Sequence, residues 1–308
     1  MTLRTKKIAF FAALESVYGT AVALAATDAI RTKGAKLTPF EATEVQRDLD
    51  GTGFGNAGTI HVGEHVTVEI DVEMAGSGVA GTPPAYGRLF KACGMSETIV
   101  AGTSVTYAPA SDSTDSLPTY IELDGQRHPA RGVRGTWSIK ADSQGIPYFN
   151  FKWTGCWVDP VTAASLIPDF TGFTTPRPIA YAYTPKIRLH GLDSVYKSFG
   201  FDYGGDVQFF DNPGEQSVEI MGRSCKGNVS LKAPTLTEKN YFMAARLDAD
   251  DLMSFVHGKT AGGIITLNAP HAQILKPNYG DDKGRATIEC GLDIKYTSKD
   301  DEMTLVFT

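Results

Sequence analysis

Three glycines in the first quarter of the chain have the spacing of a phosphate-binding loop. Gly53, Gly55 and Gly58 form the pattern G-x-G-x-x-G, which in many proteins holds a dinucleotide pyrophosphate at the N-terminus of a helix. Residues 59–74 instead alternate apolar and polar side chains, which is typical of a β-strand. Without a helix there is no dipole and no row of free N–H groups, so we predict a flexible hairpin tip and no cofactor.

Other residues that could do chemistry lack the spacing that a site needs. His61 and His65 fall on one side of the same predicted strand, but no Cys, Asp or Glu lies at a complementary spacing for a metal. The chain contains no G-x-S-x-G, H-E-x-x-H or Walker sequence. We therefore predict no metal site and no catalytic residue, and expect that the protein is not an enzyme.

Aromatic side chains near the middle of the chain could stack on a sugar, as in a carbohydrate-binding module. They recur at every second position, however, which favours the core face of a strand. The residues are Phe149, Phe151, Trp153 and Trp157.

Composition favours β structure and limits the possible partners. The 308 residues include 32 glycines, and the formal net charge is −6, which argues against a protein that grips nucleic acid through its phosphates. The four cysteines lie far apart, so neither a zinc site nor a disulfide framework is indicated. Glu15 interrupts the apolar N-terminal run, which we interpret as an ordered segment rather than a signal peptide. No apolar run of membrane-spanning length occurs, and we expect no membrane insertion.

The order of predicted elements repeats along the chain. Residues 30–34 (IRTKG) and 187–191 (IRLHG) begin alike, and each is followed by a hairpin, a short helix and two further hairpins. The helices are predicted at residues 83–94 and 235–248, the second with Thr237 as its N-cap. We therefore predict a duplicated, mainly β fold in which each helix packs on a sheet.

The repeat divides the chain into four predicted parts: an N-terminal segment (1–29), a first unit (30–158), a linker rich in Pro and Thr (159–186) and a second unit (187–308). Few prolines or lysines interrupt the alternating strands, so the sheet edges are suited to pairing with other strands. This favours assembly through sheet edges.

Four separated blocks resemble the major tail tube protein of long-tailed phages with non-contractile tails, in the form with two tandem tube units per chain. The resemblance covers the chain from about residue 6 to its end. The blocks are residues 15–22 (ESVYGTAV), 37–51 (LTPFEATEVQRDLDG), 73–98 and 226–246.

The resemblance implies a β-sandwich or partial barrel with one short flanking helix per unit. Subunits of this family join edge to edge into rings, and rings stack into a tube that conducts DNA. Because single-unit members form hexamers, a two-unit chain implies a trimeric, pseudo-hexameric ring. The implied partners are other copies of the chain, a tape measure protein in the lumen, tail terminator and distal tail or baseplate proteins, and genomic DNA in transit. The implied location is the virion, after assembly in the host cytoplasm. A baseplate or decoration protein is the alternative.

Two sets of residues acquire roles from this resemblance. The glycine-rich tip would contact the neighbouring ring, through Asp50, Gly51, Gly53, Phe54, Gly55, Asn56 and Gly58. The polar faces of two strands would line the lumen with negative charge that repels DNA phosphates. An ordinary solvated sheet face would have the same pattern. The lumen candidates are Glu69, Asp71, Glu73, Glu289 and Asp293.

Overall fold

The structure, a computed structural model, describes residues 3–20, 22–50, 55–113 and 115–308. Within these ranges the chain is mainly β, as predicted, with two short α-helices and a 3-10 turn at Ala26–Asp28. The strands up to the predicted linker are β1 (Ile8–Ala12), β2 (Ala29–Ile30), β3 (Lys33–Gln46), β4 (Thr59–Glu73), β5 (Met95–Val100), β6 (Ser104–Pro109), β7 (Leu117–Leu123), β8 (Gln126–Asp142) and β9 (Tyr148–Trp157).

The later strands begin inside the predicted linker. They are β10 (Val161–Thr162), β11 (Ile187–Leu189), β12 (Leu192–Ser194), β13 (Tyr196–Asp202), β14 (Gly205–Asn212), β15 (Glu215–Arg223), β16 (Lys226–Lys232), β17 (Asp250–His257), β18 (Ile265–Asp282), β19 (Arg285–Ile294) and β20 (Thr304–Phe307).

The alternating sequence of residues 59–74 forms β4, which confirms the predicted strand. Val66, Val68, Ile70 and Val72 are buried, whereas the polar residues between them face away from the core. β-Branched side chains suit this half-buried, pleated surface, so the pattern fixes both the strand and its inner face.

The helices α1 (Gly87–Lys91) and α2 (Tyr241–Arg246) are shorter than predicted. The N-cap of α2 is Asn240, whose side chain accepts a hydrogen bond from the Met243 N–H at 2.9 Å. Thr237 was the wrong cap, because the preceding residues form a separate turn in which Thr235 and Glu238 hydrogen-bond to each other. Among the described residues, neither helix is long and apolar enough to cross a membrane.

Two strand sets have the same order of pairing. In the first half of the chain the order is β2-β1-β7-β8-β9-β4-β3. In the second half it is β12-β11-β17-β18-β19-β16-β13. We call these sets the first half (β1–β9) and the second half (β11–β19).

The N-terminal segment and the linker both pack on the first half. β1 pairs with β7 over its whole length, so residues 8–12 lie in the same sheet as the predicted first unit. In the linker, β10 pairs with the start of β8, Phe173 packs on Tyr86, and Ile179 is buried.

An aromatic core lies behind the sheet. Phe90 of α1 is fully buried, with its ring centroid 5.0 Å from that of Tyr107 and 5.1 Å from that of Phe149. The C-terminal strand β20 pairs with both β6 and β18, so it ties the two halves together on this side. Phe307 of β20 packs on Tyr107 at 5.7 Å and completes the cluster.

Candidate functional site

The two halves are joined by strand pairing into one continuous sheet. Residues 138–142 of β8 pair antiparallel with residues 198–202 of β13, and the Tyr203 N–H donates to the Trp137 carbonyl at 3.0 Å. Gly200 lies at the centre of this joint, where a Cβ would approach the Asn228 Oδ1 to 2.3 Å. A glycine here leaves room for the Asn228 side chain on the same face.

One broad face of this sheet is polar and largely accessible. Directly paired residues of an antiparallel sheet point to the same side, so the register shows which side chains share the face. One row of paired residues crosses eight strands through Lys33, Asp71, Asn150, Ser138, Asp202, Lys226, Asp293 and Gln273. The next row points to the core and consists of Val72, Phe149, Ile139, Phe201, Gly227, Leu292 and Ile274.

All five predicted lumen residues lie on the polar face. Asp71 and Asp293 belong to the row that crosses eight strands. Glu69 and Glu73 lie two residues to either side of Asp71 in β4, and Glu289 lies four residues before Asp293 in β19. The structure therefore brings together candidates from both halves on one surface.

The charge of this face is mixed rather than uniformly negative. The Lys36 ammonium lies 3.3 Å from the Glu69 carboxylate, and the Asn150 amide donates to both Glu69 and Asp71. The hydrogen bond from Lys36, with the one from Asn150, lowers the pKa of Glu69 below its ordinary value. Sequence reasoning selected the acids and missed the lysines that the register places beside them, which are Lys33, Lys36, Lys140, Lys152 and Lys226.

The eight strands crossed by this row of polar residues end, within the described chain, at two unpaired edges. The first is β3, which pairs with β4 alone. The second is the end of β18, where residues 278–282 pair with β19 but have no partner on the side that β17 occupies earlier in the strand. Unpaired N–H and C=O groups at such edges can bind another strand.

Beyond the sheet, each half extends a two-stranded ribbon. We call residues 41–46 with 59–63 the first ribbon, and β14 with β15 the second ribbon. The second ribbon folds onto the first half. Phe209 stacks on His65 with ring centroids 4.8 Å apart, and the Arg134 guanidinium donates to the Val218 carbonyl at 2.8 Å.

Four of the predicted inter-ring residues can be located, and they lie where the two strands of the first ribbon end. Gly51, Gly53 and Phe54 fall outside the described residues. Asp50, Gly55, Asn56 and Gly58 are exposed. The Gly58 N–H donates to the Asn56 side chain at 2.9 Å, and Gly58 has a φ of +94°, a conformation that favours glycine.

The remaining candidate residues have structural positions. Phe149, Phe151 and Trp153 are buried in the sheet core, which excludes a sugar platform, and Trp157 is half-buried. His61 packs against Phe40, whereas His65 lies 3.1 Å from Glu41. Among the described residues, no group of three or more His, Cys, Asp and Glu side chains could hold a metal ion.

A charged cluster anchors the base of the second ribbon to the C-terminal segment. The Arg223 guanidinium, which is largely buried, donates to the Glu302 carboxylate at 2.9 Å and also binds Asp300. Burial of Asp300 would raise its pKa, but hydrogen bonds from Ser111 and Arg223 outweigh this and hold the pKa below its ordinary value of 3.8. Breaking such a cluster leaves poorly solvated charge, so it fixes the ribbon's position.

The unpaired edges of this wide antiparallel sheet have backbone groups that can pair with strands of another chain. The family model for phage tail tube proteins matches residues 5–298. The chain belongs to the phage tail tube protein family and is a structural virion protein of a bacteriophage tail. No curated protein matches the chain.

The Asp300 cluster predicts how stability changes in acid. A carboxylate with a lowered pKa in the folded state stabilises the fold above its unfolded pKa of about 3.8, and this contribution is lost as the pH falls. Asp300→Asn should therefore lower the free energy of unfolding at pH 7 by on the order of 1 kcal/mol, and by less at pH 3. Urea unfolding at both pH values measures this, and an equal loss at both would contradict it.

Proposed function

We propose that this protein builds the tail tube of a phage with a non-contractile tail, by forming rings that stack around a channel for DNA. The observation that carries the proposal is the joint between β8 and β13. It is a strand-to-strand contact between two sets of strands with the same pairing order. If the halves are two tube units, the chain contains one copy of the contact that a ring repeats.

The two unpaired edges correspond to the two joined edges. β3 occupies in the first half the place that β13 occupies in the second, and the end of β18 occupies the place of residues 138–142. The free β18 edge of one chain can therefore pair with β3 of the next. Such a heterologous contact, with the geometry of the internal joint, gives a ring when the rotations of successive contacts add up to one full turn.

Three chains would supply six units, which is the number that the hexameric single-unit members of the family imply. The proposed first unit then includes β1, because β1 pairs with β7. The linker packs on the core side of the sheet, with Ile179 buried and Phe173 packed on Tyr86.

The polar face of the sheet would line the channel. Glu69 on this face lies near Lys36 and Asn150, and Asp71 lies near Asn150. DNA phosphates sliding past would meet no continuous positive patch, and the acids would weaken attachment to the lysines. In the virion, the same channel would hold a tape measure protein before DNA passes, and tail terminator and distal tail proteins would close the ends.

The tip of the first ribbon would contact the neighbouring ring. Asp50, Gly55, Asn56 and Gly58 are exposed, whereas the second ribbon folds back onto its own chain. The first unit would therefore contact the neighbouring ring through its ribbon, and the second unit would not make the same contact.

A cysteine pair tests the ring contact and the number of chains. Within the chain, Ser138 pairs with Asp202. The two halves can be aligned by matching the last residue pair between β4 and β9 with the last residue pair between β16 and β19. In this alignment Asn278 corresponds to Ser138, and Thr38 corresponds to Asp202. In the double variant Thr38→Cys and Asn278→Cys, we expect oxidised rings to give a closed covalent trimer on a non-reducing gel.

Each single cysteine variant serves as the control and should remain monomeric on the same gel. A ladder that continues to six chains would contradict the trimer. Absence of any linked species from assembled tubes would contradict the edge contact.

Reversing the acids tests the channel face. Replacing Glu69, Asp71 and Glu73 together by lysine would place positive charge beside Lys36, so DNA should leave otherwise normal virions several-fold more slowly. The matched control replaces the same residues by Gln, Asn and Gln, which removes charge without reversing it. DNA release followed by dye fluorescence measures the rate, and wild-type kinetics in the lysine variant would remove the channel assignment.

Deleting residues 50–58 tests the stacking role of the tip. Because the paired stem of the ribbon remains, we expect rings of normal mass that do not elongate into tubes. Negative-stain images and native mass measurement of the same sample distinguish rings from tubes. Tubes of normal length and yield would show that the tip is not the stacking element.

A further inference from the structure

The first ribbon carries an apolar face that is exposed in the single chain. Val45 pairs with Ile60 and Thr43 pairs with Val62, so these four side chains lie on one side of the ribbon. Val45 is 47% exposed and Ile60 52% exposed. The opposite side carries Glu44, Gln46, Thr59 and His61. A two-stranded ribbon is marginally stable alone in water, so an apolar face of this kind needs a surface to cover it.

The second ribbon has the same design, and its apolar face is covered. Val207 pairs with Ile220 and Phe209 pairs with Val218, which places these four on one side. Val218 is fully buried, Phe209 stacks on His65, and the Ile220 side chain lies against Gly94. The second ribbon, which belongs to the second half, thus crosses the joint and packs on the first half.

We propose that the first ribbon does the same between chains, with its apolar face packed on the second half of the neighbouring chain in the same ring. The inference rests on the proposed ring, because pairing of β3 with the neighbour's β18 is what brings the ribbon there. The ribbon is the continuation of β3 and β4, so it crosses that joint as the second ribbon crosses the joint within the chain.

The second half offers exposed apolar side chains at the corresponding place. Leu247, Leu275 and Tyr296 are all exposed, with Leu247 and Tyr296 at 68% and 72%. Leu275 lies two residues from Gln273 in β18, and the Gln273 side chain donates to Asp248, the residue after Leu247, at 3.0 Å. We call these three side chains the receiving surface.

The receiving surface lies on the elements that correspond to the seat of the second ribbon. That seat includes Arg134 of β8, Cys156 of β9 and the turn after α1 at Gly94. Of the receiving surface, Leu275 lies in β18, Tyr296 lies two residues after the end of β19, and Leu247 lies directly after α2. Apolar side chains on both partners, rimmed by polar groups, fit a contact between two copies of this chain.

A matched pair of variants tests the contact. Val45→Asp with Ile60→Asp places two carboxylates on the apolar side of one cross-strand pair. Gln46→Asp with Thr59→Asp places the same charges on the neighbouring cross-strand pair, on the opposite side. Both should fold with a Tm close to that of the wild type. We expect the first variant to need at least tenfold more protein to form rings, and the control to assemble as the wild type does.

Cross-linking tests the same contact without disturbing the charge of the ribbon. Ile60→Cys is combined with Leu247→Cys, or with Tyr296→Cys, in rings assembled from the full chain. The four native cysteines are buried, so the introduced thiols react selectively. A disulfide between chains in at least one pair supports the contact. Its absence from both pairs overturns the contact, even if the aspartate variant fails to fold.

The outcomes separate this inference from the proposed function. Rings that form equally well from the Val45 and Ile60 variant, without cross-links, would overturn the ribbon contact and leave the tube intact. A wild-type protein that forms no rings at any concentration would overturn the proposed function itself.

Discussion

The antiparallel contact between β8 and β13 is the interaction on which the rest of the structure depends. It satisfies two strand edges that would otherwise expose backbone donors and acceptors, and it makes one sheet out of two strand sets. The continuous polar face, the buried row behind it and the position of the second ribbon all follow from that register. A slip of one residue would exchange the polar and apolar faces of every later strand, so the alternation on both sides holds the register in place.

The two halves share a pairing order but differ in how they use it. The second ribbon is seated on its own chain and tied at its base by Arg223, Asp300 and Glu302, whereas the first ribbon has its apolar side in solvent. The polar face therefore contains one satisfied joint and ends, within the described chain, at one pair of unsatisfied edges. Membership in the phage tail tube family accounts for the unsatisfied pair, because a structural tail protein must leave surfaces open to neighbouring copies.

Local pattern predicted much of the fold and less of the candidate site. The alternation in residues 59–74 predicted β4 and its inner face, because β-branched residues at every second position can bury only one side of a strand. The cap of α2 was missed because the turn formed by Thr235 and Glu238 has the residues of a helix start. The lysines beside Glu69 and the apolar pair of Val45 with Ile60 were missed because both depend on cross-strand register, which separates neighbours by tens of residues in sequence. The joint of β8 with β13 is non-local for the same reason.

Joining the halves through the linker would change the kinetics of ring formation. The linker holds β8 and β13 at a high effective concentration, so their contact forms without diffusion of a second molecule. A closed assembly of three chains would need only two bimolecular encounters where six separate units would need five, because the last contact closes within one particle. In every such encounter the β18 edge of one chain would meet the β3 edge of another. First and second halves would therefore always alternate around the assembly.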